Sequence, residues 1–339
     1  MRKFSFRFVT PLIAAGCLVM LALILTNREL PAHLFSGANL QSFKILFISI
    51  ILEAFPFILL GVVFSALLQV FVTDAMIKKF TPKNPIAGVL FGALLGLLFP
   101  LCECGMIPVV RRLIRKGMPA YIGIVYLLAG PIVNPIVYAS TFTAFRTTPA
   151  MAYSRMGLAF AVSVIVGLLL YKFMRTSPLK SATHTRFAPH GHSHSHDHDS
   201  AGKRFRSRVA SILSHASDEF FEMGKYLIIG ALLTAVLQTI IDRSTLTAFA
   251  DQPLFSYLFM MGFAFILSIC STSDAFIASS FSGMFDFGPL LAFLVFGPMI
   301  DLKNTLMLLT TFRVKFVLIL IALTAGLTLV GAWIMEVLL

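Results

Sequence analysis

The sequence predicts an all-α polytopic membrane protein of two inverted-topology repeats, each with a re-entrant or broken helical hairpin, and about seven full crossings besides. Three observations carry this. Apolar residues make up 58% of the 339-residue chain and charged residues only 12%, about half the charged share of a soluble domain. The apolar runs are continuous and reach the roughly 20 residues that cross a core of about 30 Å as a helix, without the alternation of barrel strands. Finally, EAFPFILLGVVFSALLQ (53–69) matches EMGKYLIIGALLTAVLQ (222–238) without a gap, sharing Glu, Gly and Gln.

The first crossing is expected near 8–26. It follows a basic start, MRKFSFR, and its apolar run continues past Cys17, so it reads as an uncleaved helix rather than a signal peptide. Further crossings fall near 43–72, 119–145, 152–174, 213–241, 288–312 and 314–338. Two other apolar segments, 86–110 and 254–285, are interrupted in the middle by PLCECGMIP and SICSTSDAFIASS, and these are the hairpins. Pro100, Gly105 and Pro108 predict backbone other than continuous helix around Cys102–Cys104.

The net charge of +12 does not indicate nucleic acid, because the basic residues sit in short segments beside apolar runs. They also decide the topology. A hairpin at 86–110 that enters and leaves on one side puts Arg2, Lys3, Lys78, Lys79, Arg111, Arg112, Arg313 and the 172–208 segment all on the cytoplasmic side, with the N-terminus. The second hairpin then opens to the outside. The organisation is an N-terminal helix (1–30), a first repeat (43–174), a His-rich cytoplasmic loop (175–212) expected to be disordered, and a second repeat (213–339).

The order of features repeats as well: a Cys-bearing break (Cys102 and Cys104; Cys270), a Gly-Pro pair (Gly130-Pro131; Gly297-Pro298), then a polar residue (Asn134; Asp301). Inverted repeats with interrupted segments place a binding site at the midplane. There, Cys102 and Cys104 can present two sulfurs to a soft ion and Cys270 a third, unless all are inert small apolar residues. Glu103 and Asp274 sit at the hairpin tips, where an ionisable group costs at least roughly 2.5–3.5 kcal/mol. Lys303 is a candidate counter-ion, and a proton competing with the cation for a carboxylate would couple the two. Ser273 either caps broken backbone or supplies a hard oxygen ligand, and Asn134 contacts a substrate or satisfies freed carbonyls. Asp301 joins the substrate-binding residues as the repeat's counterpart of Asn134, and Glu53 and Glu222 lie at undecided depth. His190, His192, His194, His196 and His198, at every second position of the loop, form a weak metal site or a neutral spacer.

PLCECGMIPV with SICSTSDAFIA, together with AGPIVNP and FGPMIDLKN, resembles the ArsP-type predicted permease family over roughly residues 43–335. The resemblance implies a bacterial or archaeal inner-membrane permease. It also implies, from organoarsenical exporters of that family, that Cys102 and Cys104 bind trivalent arsenicals. Glu103 between the thiols and the His-rich loop depart from that pattern and favour a cation.

The expectation is therefore a multi-pass secondary transporter exporting a soft metal or metalloid, with lipid, substrate and protons as partners and no cofactor or enzyme activity. Without a Walker motif, ATP hydrolysis in this chain is not expected. A divalent metal (Zn, Co, Ni) transporter, a membrane thiol oxidoreductase using Cys102 and Cys104, and a metal sensor signalling through the histidines are the alternatives.

Overall fold

The computed structural model describes residues 37–71, 73–82, 84–98, 103–173, 178–179, 201–240 and 253–338. The crossing at 8–26, Cys17, Cys102 and the histidines of 190–198 lie outside the described residues. Among the described residues the secondary structure is helical apart from a single bridge between Leu179 and Phe312.

The first half contains α1 (Gly37–Phe71), a short α2 (Asp74–Phe80), α3 (Pro85–Leu98), α4 (Glu103–Arg115), α5 (Ala120–Ala129), α6 (Pro135–Ala144) and α7 (Ala150–Phe173). The second contains α8 (Ala201–Ile240), α9 (Pro253–Leu267), α10 (Asp274–Ser279), α11 (Phe287–Met299), α12 (Leu302–Thr311) and α13 (Val314–Leu338). Apart from α2, the two halves present one series: a long helix, a split hairpin, a split span and a closing helix. α5 and α6 have 10 residues each, about 15 Å, so each covers about half the hydrocarbon thickness. Their break at 130–134, and that between α11 and α12, therefore falls near mid-depth.

The gapless match between 53–69 and 222–238 has a packing basis. Ala54, Ile58, Gly61, Val62, Ser65 and Ala66 are buried on α1, and the matching Met223, Leu227, Gly230, Ala231, Thr234 and Ala235 are buried on α8. This is one helical stripe used twice, and α1 packs against α8. Other contacts pair likewise: α3 on α5 and α9 on α11, α5 on α7 and α11 on α13. The halves also exchange their hairpins, with α4 touching α12 and α10 touching α6. The pairing departs from two-fold in places, most clearly where α1 packs on α4 whereas α8 packs on α12.

Among the described residues four spans are long and apolar enough to cross a membrane, and they differ in position. The most apolar stretch of Phe287–Thr311 is 94% buried, against 22–39% for the other three. The split α11–α12 span therefore runs through the protein's centre, and α1, α7 and α13 turn apolar faces outward.

Two expectations need correction. α4 starts at Glu103 and passes through Gly105 and Pro108, so Glu103 and Cys104 are helical. Pro108 removes one backbone bond, to the Cys104 carbonyl, and close packing of Gly105 on α1 outweighs that loss. In addition, α8 begins at Ala201, so residues 201–212, expected as loop, form helix; Ala, Arg and Lys in that stretch favour it.

Candidate functional site

The hairpin tips are built by identifiable local chemistry. α9 ends at Leu267, and Ser268 takes a left-handed conformation (φ 47°) that few non-glycine residues adopt. Contacts with the split α11–α12 span hold it there. The Lys303 backbone N–H donates to Ser268 Oγ (3.4 Å) and the Lys303 ammonium to the Ser268 carbonyl (3.3 Å). The Leu267 carbonyl, left over at the helix end, accepts from Gln238 Nε2 at 2.7 Å, which gives the repeated Gln of α8 its role. α12 starts next to this contact. Asp301 caps it by accepting from the Asn304 N–H, and Asn304 Oδ1 lies 3.7 Å from Cys104 Sγ at the start of α4.

These tips and α1 border an open cavity of about 200 Å³. At about 30 Å³ per water, it has room for several waters or one small metal or metalloid species. Glu53 and Phe57 of α1, Glu103 and Cys104 of α4, Ser268 and Cys270 of the second tip, Gln238 and Lys303 form its walls. Glu103 is 5% exposed, and its Oε1 has no hydrogen-bond partner among the described residues. A buried carboxylate oxygen without a partner is a costly arrangement, and it belongs to a residue that lines the cavity. Among the described residues no three His, Cys, Asp or Glu side chains converge closely enough to hold a metal ion.

A second polar cluster lies beyond the tip. Asp274, the first residue of α10, forms an ion pair with Arg155 of α7 at 2.7 Å, with side chains 4% and 1% exposed. The same guanidinium donates to the Ser271 carbonyl (3.1 Å) and to Thr141 Oγ1 of α6 (2.8 Å).

A family model described as a predicted permease matches residues 39–337. The chain belongs to the ArsP-type predicted permease family. It is 47% identical over 288 residues to UPF0718 protein YcgR of Bacillus subtilis, covering 85% of this chain and 94% of that protein. It is also 39% identical over 274 residues to a Streptococcus mutans protein named as a two-component membrane permease complex subunit, covering 80% and 88%. No solved structure matches. The helices and the family together make this a membrane permease.

Of the residues expected at the site of this permease, Glu103, Cys104, Cys270 and Lys303 share the cavity, and Cys102 lies outside the described residues. Asp274 lies off the cavity wall, paired with Arg155. Ser273 is exposed at the N-cap of α10, where its side chain makes no cap bond. Asn134 and Asp301 are buried and cap α6 and α12; Asn134 Oδ1 accepts from the Ile136 N–H at 2.8 Å, with Pro135 at the first helical position. Replacing either cap by alanine is expected to cost about 1 kcal/mol of stability, while Asn134→Ser or Asp301→Asn keeps most of it. Thermal unfolding in detergent checks this. Glu53 joins the cavity from a helix position of undecided depth, and the side chain of Glu222 lies outside the described ones. Arg155 is a residue that sequence reasoning misses; its signal is a guanidinium in the second turn of an otherwise apolar span.

Proposed function

We propose that this permease is a bacterial inner-membrane secondary transporter, N-terminus in the cytoplasm, that exports a soft, thiol-reactive metal or metalloid species such as a trivalent organoarsenical. One observation carries the reading: Cys104 from the first half and Cys270 from the second face a single cavity beside the unsatisfied carboxylate of Glu103. Each As–OH group of a trivalent arsenical condenses with a thiol, breaking As–O and S–H bonds, forming an As–S bond and releasing one water, and soft sulfur ligands suit it. Two thiols on separately moving elements bind when the cavity is assembled and release when it opens. The repeated series of elements supports opposite membrane senses for the halves, with motion of one half against the other exposing the cavity to each side in turn.

Glu53 and Glu103 on the walls favour a second reading, in which the cargo is a divalent cation held by carboxylates. Uptake into everted vesicles separates the two. With methylated arsenite, Cys104→Ser and Cys270→Ser are each expected to lower the flux at least about tenfold. If both leave it unchanged, the thiol reading fails. If Glu103→Gln abolishes Zn²⁺ or Co²⁺ flux while the thiol variants keep it, the cation reading replaces it.

A further inference from the structure

The two hairpins carry the same chemical device in two different conditions. Each second limb begins with an acid, Glu103 on α4 and Asp274 on α10, and each limb rests on the opposite half, α4 on α12 and α10 on α6. A cation of that opposite half stands by each acid, Lys303 on the cavity wall with Glu103, Arg155 against Asp274. Glu103 lines the cavity, whereas Asp274 is clamped by Arg155 and is not among the lining residues; each acid keeps one buried oxygen without a hydrogen-bond partner among the described residues.

The clamp joins the halves. Arg155 reaches Asp274 and the Ser271 carbonyl, more than a hundred residues along the chain, while holding Thr141 of its own half. It is also incompletely satisfied. Arg155 Nε and Asp274 Oδ1 have no hydrogen-bond partner among the described residues. A buried ion pair needs its remaining donors and acceptors filled to offset desolvation, so this pair is held less firmly than its burial alone suggests. It lies at the back of the tip whose front, Ser268 and Cys270, forms the cavity wall.

We propose that the Arg155–Asp274 pair is a gate: it seals the pathway behind the cavity, and the oppositely facing state forms when it parts. Asp274 then stands as Glu103 stands now, with the second tip open and the first closed on Lys303. The proposal rests on the transport reading but not on the cargo, so its test uses no substrate.

Cys270 is the reporter, in a chain carrying Cys17→Ser, Cys102→Ser and Cys104→Ser, probed with a membrane-impermeant maleimide on right-side-out and on everted vesicles. In the parent chain labelling is expected to be strongly biased to the face onto which the cavity opens. Asp274→Asn should shift the ratio of labelling rates between the faces by at least about tenfold toward the other face. Arg155→Lys, which keeps the charge but loses the fork of bonds, should shift it less and in the same direction. The charge-reversed double variant Arg155→Asp/Asp274→Arg should return the ratio toward the parent's. A face ratio unchanged in Asp274→Asn and Arg155→Lys, whether or not their melting temperatures fall, would overturn the gate and leave a structural pair. So would equal labelling of the parent from both faces. Loss of arsenical flux in Cys104→Ser with no change in this ratio, or the reverse, tells failure of the gate from failure of the cargo assignment.

Discussion

Gly61→Ala is expected to destabilise the protein by about 3 kcal/mol or more, the largest penalty for a single added methyl among its described glycines. Overpacking a filled core costs typically about 1–3 kcal/mol when side chains can shift. Here none can, because the new Cβ would fall against the Gly105 Cα and within 2.5 Å of the Gly105 carbonyl oxygen, all backbone. Gly61 belongs to α1 and Gly105 to α4, so the clash pushes apart the helices that present Glu53 and Glu103 to the cavity. The matching Gly230→Ala on α8 meets the Lys303 Cα at 3.3 Å and should cost about 1 kcal/mol, since a few tenths of an ångström relieve it. Gly157→Ala on α7 meets nothing within 4 Å and should stabilise by about 0.5–1 kcal/mol through helix propensity. Melting in detergent should give the order Gly157→Ala, parent, Gly230→Ala, Gly61→Ala from most to least stable. A Gly61→Ala protein that melts with the parent contradicts the close approach.

Arg155→Ala is expected to cost about 3–5 kcal/mol, because it strands a buried carboxylate and removes the donors to Ser271 and Thr141. The size of this effect comes from the charge left behind rather than from the net worth of the pair. Removing both charges in Arg155→Met/Asp274→Leu should therefore recover most of the loss. Thermal unfolding of Arg155→Ala and the double variant checks it. A double variant as unstable as Arg155→Ala would mean that the bonds to Ser271 and Thr141, not the stranded charge, account for the cost.

The sequence announces the places where helices break more clearly than the partners that close them. Gly-Pro followed by Asn134 or Asp301 is a local signal, because a capping side chain acts on the backbone two or three residues on, and both caps form. Of the repeated Glu, Gly and Gln, two find a structural purpose. Gly61 and Gly230 admit neighbouring backbone, and Gln238 binds the end of α9. Pro108 misleads, since the one backbone bond it removes is outweighed by the close packing of Gly105 on α1. Arg155 escapes notice because the apolar run around it satisfies every length criterion. Its partner lies 119 positions away, a separation no local pattern reports. The same holds for Lys303, whose bonds to Ser268 follow from how the split α11–α12 span meets the tip of the α9–α10 hairpin.

The half-length α5 and α6, and the cavity set among the hairpin tips, also bear on electricity. Where water enters a dent, the voltage across the lipid no longer falls evenly over some 30 Å but is compressed into the thin septum that remains. A charge crossing that septum then works against nearly the whole potential, about 2.3 kcal/mol per elementary charge per 100 mV. Charged cargo would thus be driven or held back by polarisation of the cell as strongly as by its own concentration gradient.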